Sequence, residues 1–240
     1  SGRLEKAMTC YRLALDWSVN SIEKSSALKN IALTSMKLFK VQLNMGKQTS
    51  KTDYYLKDGL QSFDLASNHG LSGGQEQSWS NALCERYMES IDSLFHHLVT
   101  KSTKDRIHML EEIARKLKNK QAKSRIFRET ARVYFNSSVV SLEAGEFKSC
   151  LSQLRDCHHP LEEAKLCNTD PNGTDMEDIT ELETSVFLQQ CRAESLQARD
   201  AGDDLLKKSI NDSENLDMEA VFIVIDFYKQ AILLTKEVEV

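Results

Sequence analysis

The sequence predicts an all-α protein of about nine helices, and three observations carry that reading. Apolar residues recur at three- and four-residue intervals in one segment after another, which is the repeat of a helix face. Only 2 prolines occur in 240 residues, and proline is the residue that removes a backbone donor and clashes with the preceding turn of a helix. Runs that alternate apolar and polar residues, the mark of a half-buried strand, do not occur.

In chain order, Leu4, Ala7, Met8, Tyr11, Ala14 and Leu15 form the stripe of a first helix. A second, over about 23–45, carries Leu28, Ile31, Ala32, Met36, Phe39 and Leu43, with Gly46 placed to cap its end. A third covers about 53–68, and the Ser- and Gly-rich residues 69–74 read as a loop. A fourth, about 75–99, presents Trp79, Leu83, Tyr87, Ile91, Leu94 and Phe95. Ser102-Thr103-Lys104-Asp105 opens a fifth, with Ile107, Leu110, Ile113 and Leu117 on its inner face. The sixth, 122–144, is stopped by Gly145. The seventh is short, 147–157, and Pro160 opens another short piece. Residues 167–178, with Pro171-Asn172-Gly173 at their centre, are the clearest break in a chain that otherwise reads as one domain. An eighth helix over 179–199, a turn over 200–209 and a ninth helix over 216–236 complete the order. Short connections make sequential helices antiparallel neighbours.

Composition narrows the function. A formal net charge of −5 gives no global basic field for nucleic acid. No apolar run reaches the roughly 18 residues of a membrane span. The richest stretch, 218–234, is interrupted by Glu219, Asp226 and Lys229. The 6 cysteines fall mostly inside helical patterns rather than in a small loop-rich scaffold. With no signal peptide, the expectation is a cytoplasmic protein. The start at Ser1-Gly2 reads as a cleavage scar on a piece of a longer protein. The ninth helix is apolar almost all round, which suggests that the natural chain continues past Val240.

Motifs for chemistry are lacking. Leu71-Ser72-Gly73-Gly74-Gln75 spells the pentapeptide of ABC-type ATPases, but the phosphate-binding G-x-x-x-x-G-K-[ST] loop it works against is absent. There is no G-x-S-x-G, H-E-x-x-H, C-x-x-C or G-x-G-x-x-G. Cys150, Cys157, His158, His159 and Cys167 invite a zinc reading. Cys150 and Cys157 stand seven residues apart, however, not at the two-to-four spacing of structural zinc ligands, and they suit small apolar slots on a helix face. The expectation is a protein that is not an enzyme and takes no cofactor, metal or small-molecule substrate.

A spacing does repeat. A small residue, an aromatic four positions on and a small residue three further occur at Ala7-Tyr11-Ala14 and Gly59-Phe63-Ala66. Val224-Tyr228-Ala231 has valine in the first slot, and Cys150-Leu154-Cys157 follows the turn Gly145-Glu146-Phe147. This pattern resembles the second helix of a tetratricopeptide repeat, with hairpins longer than the standard 34 residues, as in the soluble NSF attachment proteins. The resemblance implies a single domain over 1–240, a right-handed α-solenoid of antiparallel helical hairpins. It also implies a protein–protein interaction scaffold holding a partner peptide or helix in a concave groove lined by helices two, four, six and eight. Lys123, Arg128 and Asn136 are the polar residues that this groove would draw from helix six. A vesicle-traffic adaptor is the narrower form of the same reading.

Charge is segregated. Residues 101–132 hold eleven Lys/Arg against four Asp/Glu, and residues 161–240 hold nineteen Asp/Glu against seven Lys/Arg. Arg115, Lys116, Lys118, Lys120 and Lys123, around the turn between helices five and six, are therefore candidates to bind an acidic protein partner. RNA is the alternative ligand for this segment, with Phe127 as its only aromatic.

Overall fold

The structure, a computed structural model, describes residues 2–46, 50–74, 77–211 and 218–238. Those residues form nine helices and no strand: α1 (Gly2–Trp17), α2 (Ser21–Asn44), α3 (Ser50–Gly73), α4 (Gln77–Leu98), α5 (Thr103–Lys116), α6 (Lys120–Glu143), α7 (Phe147–Cys167), α8 (Thr174–Asn211) and α9 (Met218–Val238). The chain separates into two compact units, Ser1–Phe127 and Arg128–Val240. The division falls within α6, and the turn-rich segment near 167–178 lies inside the second unit. The first unit sums to +7 and the second to −12, and the basic segment 101–132 runs across the division.

In the first unit, sequential helices pair antiparallel. The Ser25 hydroxyl near the start of α2 donates to the Ala66 carbonyl late in α3 at 2.6 Å, and Ser35 reaches Asp58 at 2.6 Å. Likewise Asp53 of α3 meets His97 of α4 at 2.9 Å, while Phe63 stacks on Tyr87 with ring centres 5.8 Å apart. Helices two apart run parallel. Lys57 and Asp64 of α3 meet Glu112 and Lys118 at α5 and its end, and Lys29 and Phe39 of α2 meet Trp79 and His97 of α4. Arg12 of α1 bonds Asp58 of α3 at 3.1 Å. Thus α1, α3 and α5 form one layer, and α2 and α4 form another.

The repeated spacing marks packed faces. Gly59, Phe63 and Ala66 are buried, as are Cys150, Leu154 and Cys157, and Val224 and Ala231. A Cβ on Gly59 would stand 2.9 Å from Met36 Sδ, so the small slot is what lets α3 approach α2. In the first helix only Met8 is buried, packed with Ile31 and Leu38 of α2.

Helix ends follow their sequence signals. Asn20 caps α2 by accepting from the Glu23 N–H at 2.9 Å, and Ser102 caps α5 through Asp105. Gly145, at φ 75°, ends α6 with its N–H on Leu142 and the Glu146 N–H on the Ser141 carbonyl.

Three expected breaks are helical instead. The predicted loop at 69–74 is the end of α3, which runs to Gly73. Its glycines serve close packing, because a Cβ on Gly70 would lie 2.7 Å from the Trp79 ring and one on Gly73 3.0 Å from Ile22. Gln75 lies outside the described residues. Pro160 does not open a new piece but sits inside α7. The buried row Cys150, Leu154, Cys157, Leu161 and Ala164 passes straight through it, and that burial offsets the roughly 3 kcal/mol penalty of an internal proline. The predicted turn at 200–209 is the continuation of α8, where Gly202 is buried against Phe227 and Tyr228 of α9.

In the second unit, α6 and α7 pair antiparallel through Cys157 to the Ala131 carbonyl and Ser141 to Ser149. Antiparallel pairing of α8 and α9 follows from Ser195 donating to the Ala231 carbonyl and the Tyr228 hydroxyl donating to Asp203.

Candidate functional site

The layer formed by α2 and α4 leaves a groove between them, wholly within the first unit. Its upper space, about 200 Å³, is lined by Lys29, Leu33, Phe63, Trp79, Leu83 and Arg86. A middle space of about 380 Å³ shares Leu33, Phe63 and Arg86 with it and adds Met36, Lys37, Lys40, Glu89, Ser90 and Ser93. A lower space of about 430 Å³ shares Lys40 and Ser93 and adds Phe39, Leu43, Asp92, His96, His97 and Thr100. The shared residues make the three one continuous groove. Its floor is apolar because Leu33, Met36, Phe39 and Phe63 lie at helical spacing on the α2 and α3 faces that turn toward α4.

The two rims differ in charge. From Lys24 to Asn44, α2 carries Lys24, Lys29, Lys37 and Lys40 and no carboxylate. Lys29 lies over the Trp79 ring, 5.4 Å from its centre, a cation–π contact. On the α4 rim Glu89 is held by Arg86 at 2.9 Å, and Asp92 faces Arg125 at 4.0 Å.

At the lower end, His97 packs edge-on against Phe39, with ring centres 5.3 Å apart. Its side chain is 1% exposed, and its Nε2 meets Asp53 at 2.9 Å. Asp53 also accepts from Lys101 at 3.0 Å. Burial works against the Asp53 charge, yet the bonds from His97 and Lys101 hold its carboxyl below the usual range. The carboxylate can only accept, so Nε2 carries the hydrogen, and Nδ1 is buried with no hydrogen-bond partner.

The basic residues expected at the turn between α5 and α6 are gathered there. Arg115, Lys116, Lys118 and Lys120 are exposed and Lys123 is half-buried. The turn is tied to α3 by Asp64, which is 1% exposed. Asp64 accepts the backbone N–H of Lys118 at 3.0 Å and that of Asn119 at 2.7 Å. Lys116 is shared with Glu112, which also pairs with Lys57. Those two hydrogen bonds, from Lys116 and then Lys57, draw the Glu112 carboxyl down to about 2. The other two residues expected at a partner surface lie in the second unit. Arg128 is enclosed, its guanidinium bonded to Asp175 at 3.0 Å and Asp178 at 2.7 Å, so its charge is already matched. Asn136 is exposed on α6.

Sequence reasoning missed the lysine rim of α2 and the Asp53–His97–Lys101 cluster. The first was readable as a helix carrying four lysines after its last carboxylate. The second was not, because its members lie 44 and 48 residues apart.

The residues once open to a zinc reading are dispersed in role. Cys150 and Cys157 are buried while His158 and His159 are exposed. Burial pushes the Cys157 thiol up to about 12, with its S–H directed to the Gln153 and Ala131 carbonyls. Among the described residues no cluster of three or more His, Cys, Asp or Glu is placed to hold a metal ion. No helix among them is long and apolar enough to cross a membrane. These features define an all-α protein of paired helices with an open groove. No protein-family model matches the chain, and neither a curated protein nor a solved structure matches it.

Proposed function

We propose that this chain is a non-catalytic protein–protein interaction module, of tetratricopeptide-like stacked hairpins, that holds a segment of a partner protein in the α2–α4 groove. The observation that carries the reading is the groove itself, with Leu33, Met36, Phe39 and Phe63 at its base between two polar rims. Grooves of this kind receive a helix or an extended peptide through a row of apolar anchors. The antiparallel hairpins and buried small slots of the first unit support the repeat architecture.

A second reading places an acidic protein, or RNA, on the α5–α6 turn. It is favoured by the Asp64 tie, which fixes the backbone under Lys118 and Lys120. Photo-crosslinking separates the two readings. A benzoylphenylalanine at Leu33 should capture the same cytosolic partner before and after nuclease treatment, and Ser93→Trp, which fills the groove, should abolish capture. Capture from position 120 alone would move the site to the turn, and nuclease sensitivity there would name RNA.

A further inference from the structure

We propose that the occupant of the α2–α4 groove is an acidic amphipathic segment of a partner protein, with apolar side chains on the Leu33–Phe63 floor and carboxylates against Lys37 and Lys40. The inference rests on the groove reading above and adds the chemistry of the ligand. Lys37 and Lys40 are exposed, three residues apart on one face of α2, and have no ion-pair partner among the described residues. The carboxylates across the groove do not answer them, since Glu89 is bonded to Arg86 and Asp92 faces Arg125. The groove therefore presents unmatched positive charge along one rim only. A bound segment should accordingly be acidic on one flank, and the pairing would speed encounter and set orientation more than it adds affinity.

From Lys29 to Leu43 the rim is about 20 Å long, the length of a helix of about fourteen residues.

The test uses a fluorescein-labelled peptide of about four helical turns, with leucines at three- and four-residue spacing and Glu on one flank. Two partners carry Gln or Lys in place of Glu, and binding is read by fluorescence anisotropy. The Glu peptide should bind about threefold to fivefold more tightly than the Gln peptide, and the Lys peptide should bind least. Raising salt from about 50 to about 300 mM should erase the preference. Lys37→Glu/Lys40→Glu should reverse the order of the peptides, and the milder Lys37→Gln/Lys40→Gln should level it, with circular dichroism confirming the fold of each. Lys118→Glu/Lys120→Glu, on the α5–α6 turn, should leave the order of the peptides unchanged.

Equal binding of the Glu and Gln peptides, abolished by Ser93→Trp, would overturn the acidic preference and leave the groove reading standing. Binding of none of the peptides would overturn both. Loss with the α5–α6 turn variant would place the acidic ligand on that turn and overturn the proposal. Concentration-dependent self-association that displaces the peptide would make a second copy, through its acidic half, the occupant instead.

Discussion

Asp64 is the residue on which α3, α4 and the α5–α6 turn converge. It is a buried carboxylate on α3 facing the Lys118 and Asn119 amides, the Tyr87 hydroxyl at 3.4 Å and the Asn68 side chain. A buried charge persists only where donors replace its lost water, and here backbone and side chains supply them. Burial, and then the Asp64 charge, push the Tyr87 phenol far above its ordinary range, so it stays a donor. Asp64→Ala should lower stability by about 3 kcal/mol, since it strands those donors. Asp64→Asn keeps one acceptor oxygen and should cost about half as much. Urea midpoints at constant slope would show this, and a loss below about 1 kcal/mol in the alanine variant would demote Asp64 to a bystander. The sequence could not reveal it, because Asp64 follows Phe63 inside an apolar pattern and its partners lie 54 and 55 residues away.

At the scale of elements, α3 is held to α5 by Glu112 between Lys57 and Lys116. The Glu112 carboxyl falls from 4.5 to about 2 on folding, so its contribution is present above its unfolded value and is lost as pH falls toward 2. The pair is partly exposed, which limits the contribution to about 1 kcal/mol. Wild type should exceed Glu112→Gln by that amount at neutral pH and match it near pH 2. A difference that stays constant across this range would show that the ion pairs contribute nothing. Helix identity was legible because the stripes are long and prolines are few. The ends of α3, α7 and α8 were not. Glycine at 70, 73 and 202 looks like punctuation in a sequence, but in the fold it marks where Trp79, Ile22 and Tyr228 come close. Local pattern cannot separate a turn from a close approach, because only the neighbouring element decides which it is.

For the whole molecule, the repeated spacing foretold buried faces on α3 and α9 and, with leucine in the aromatic slot, on α7, whereas in α1 Ala14 is exposed. The place of the division was hidden, since it falls inside α6, where no loop composition announces it. The resemblance implied a groove along helices two, four, six and eight; the space described lies between α2 and α4, and its lysine rim emerged only once those two helices were set side by side. The tie between Asp64 and the α5–α6 turn has one more consequence, visible in exchange with solvent deuterium. Amide hydrogens in surface turns ordinarily exchange quickly. Those of Lys118 and Asn119 point inward to a carboxylate of another helix, so they should exchange as slowly as core amides of α3 and become fast in Asp64→Ala. Two slow amides beneath a row of exposed lysines would then report, residue by residue, each time the turn lifts from the layer that carries it.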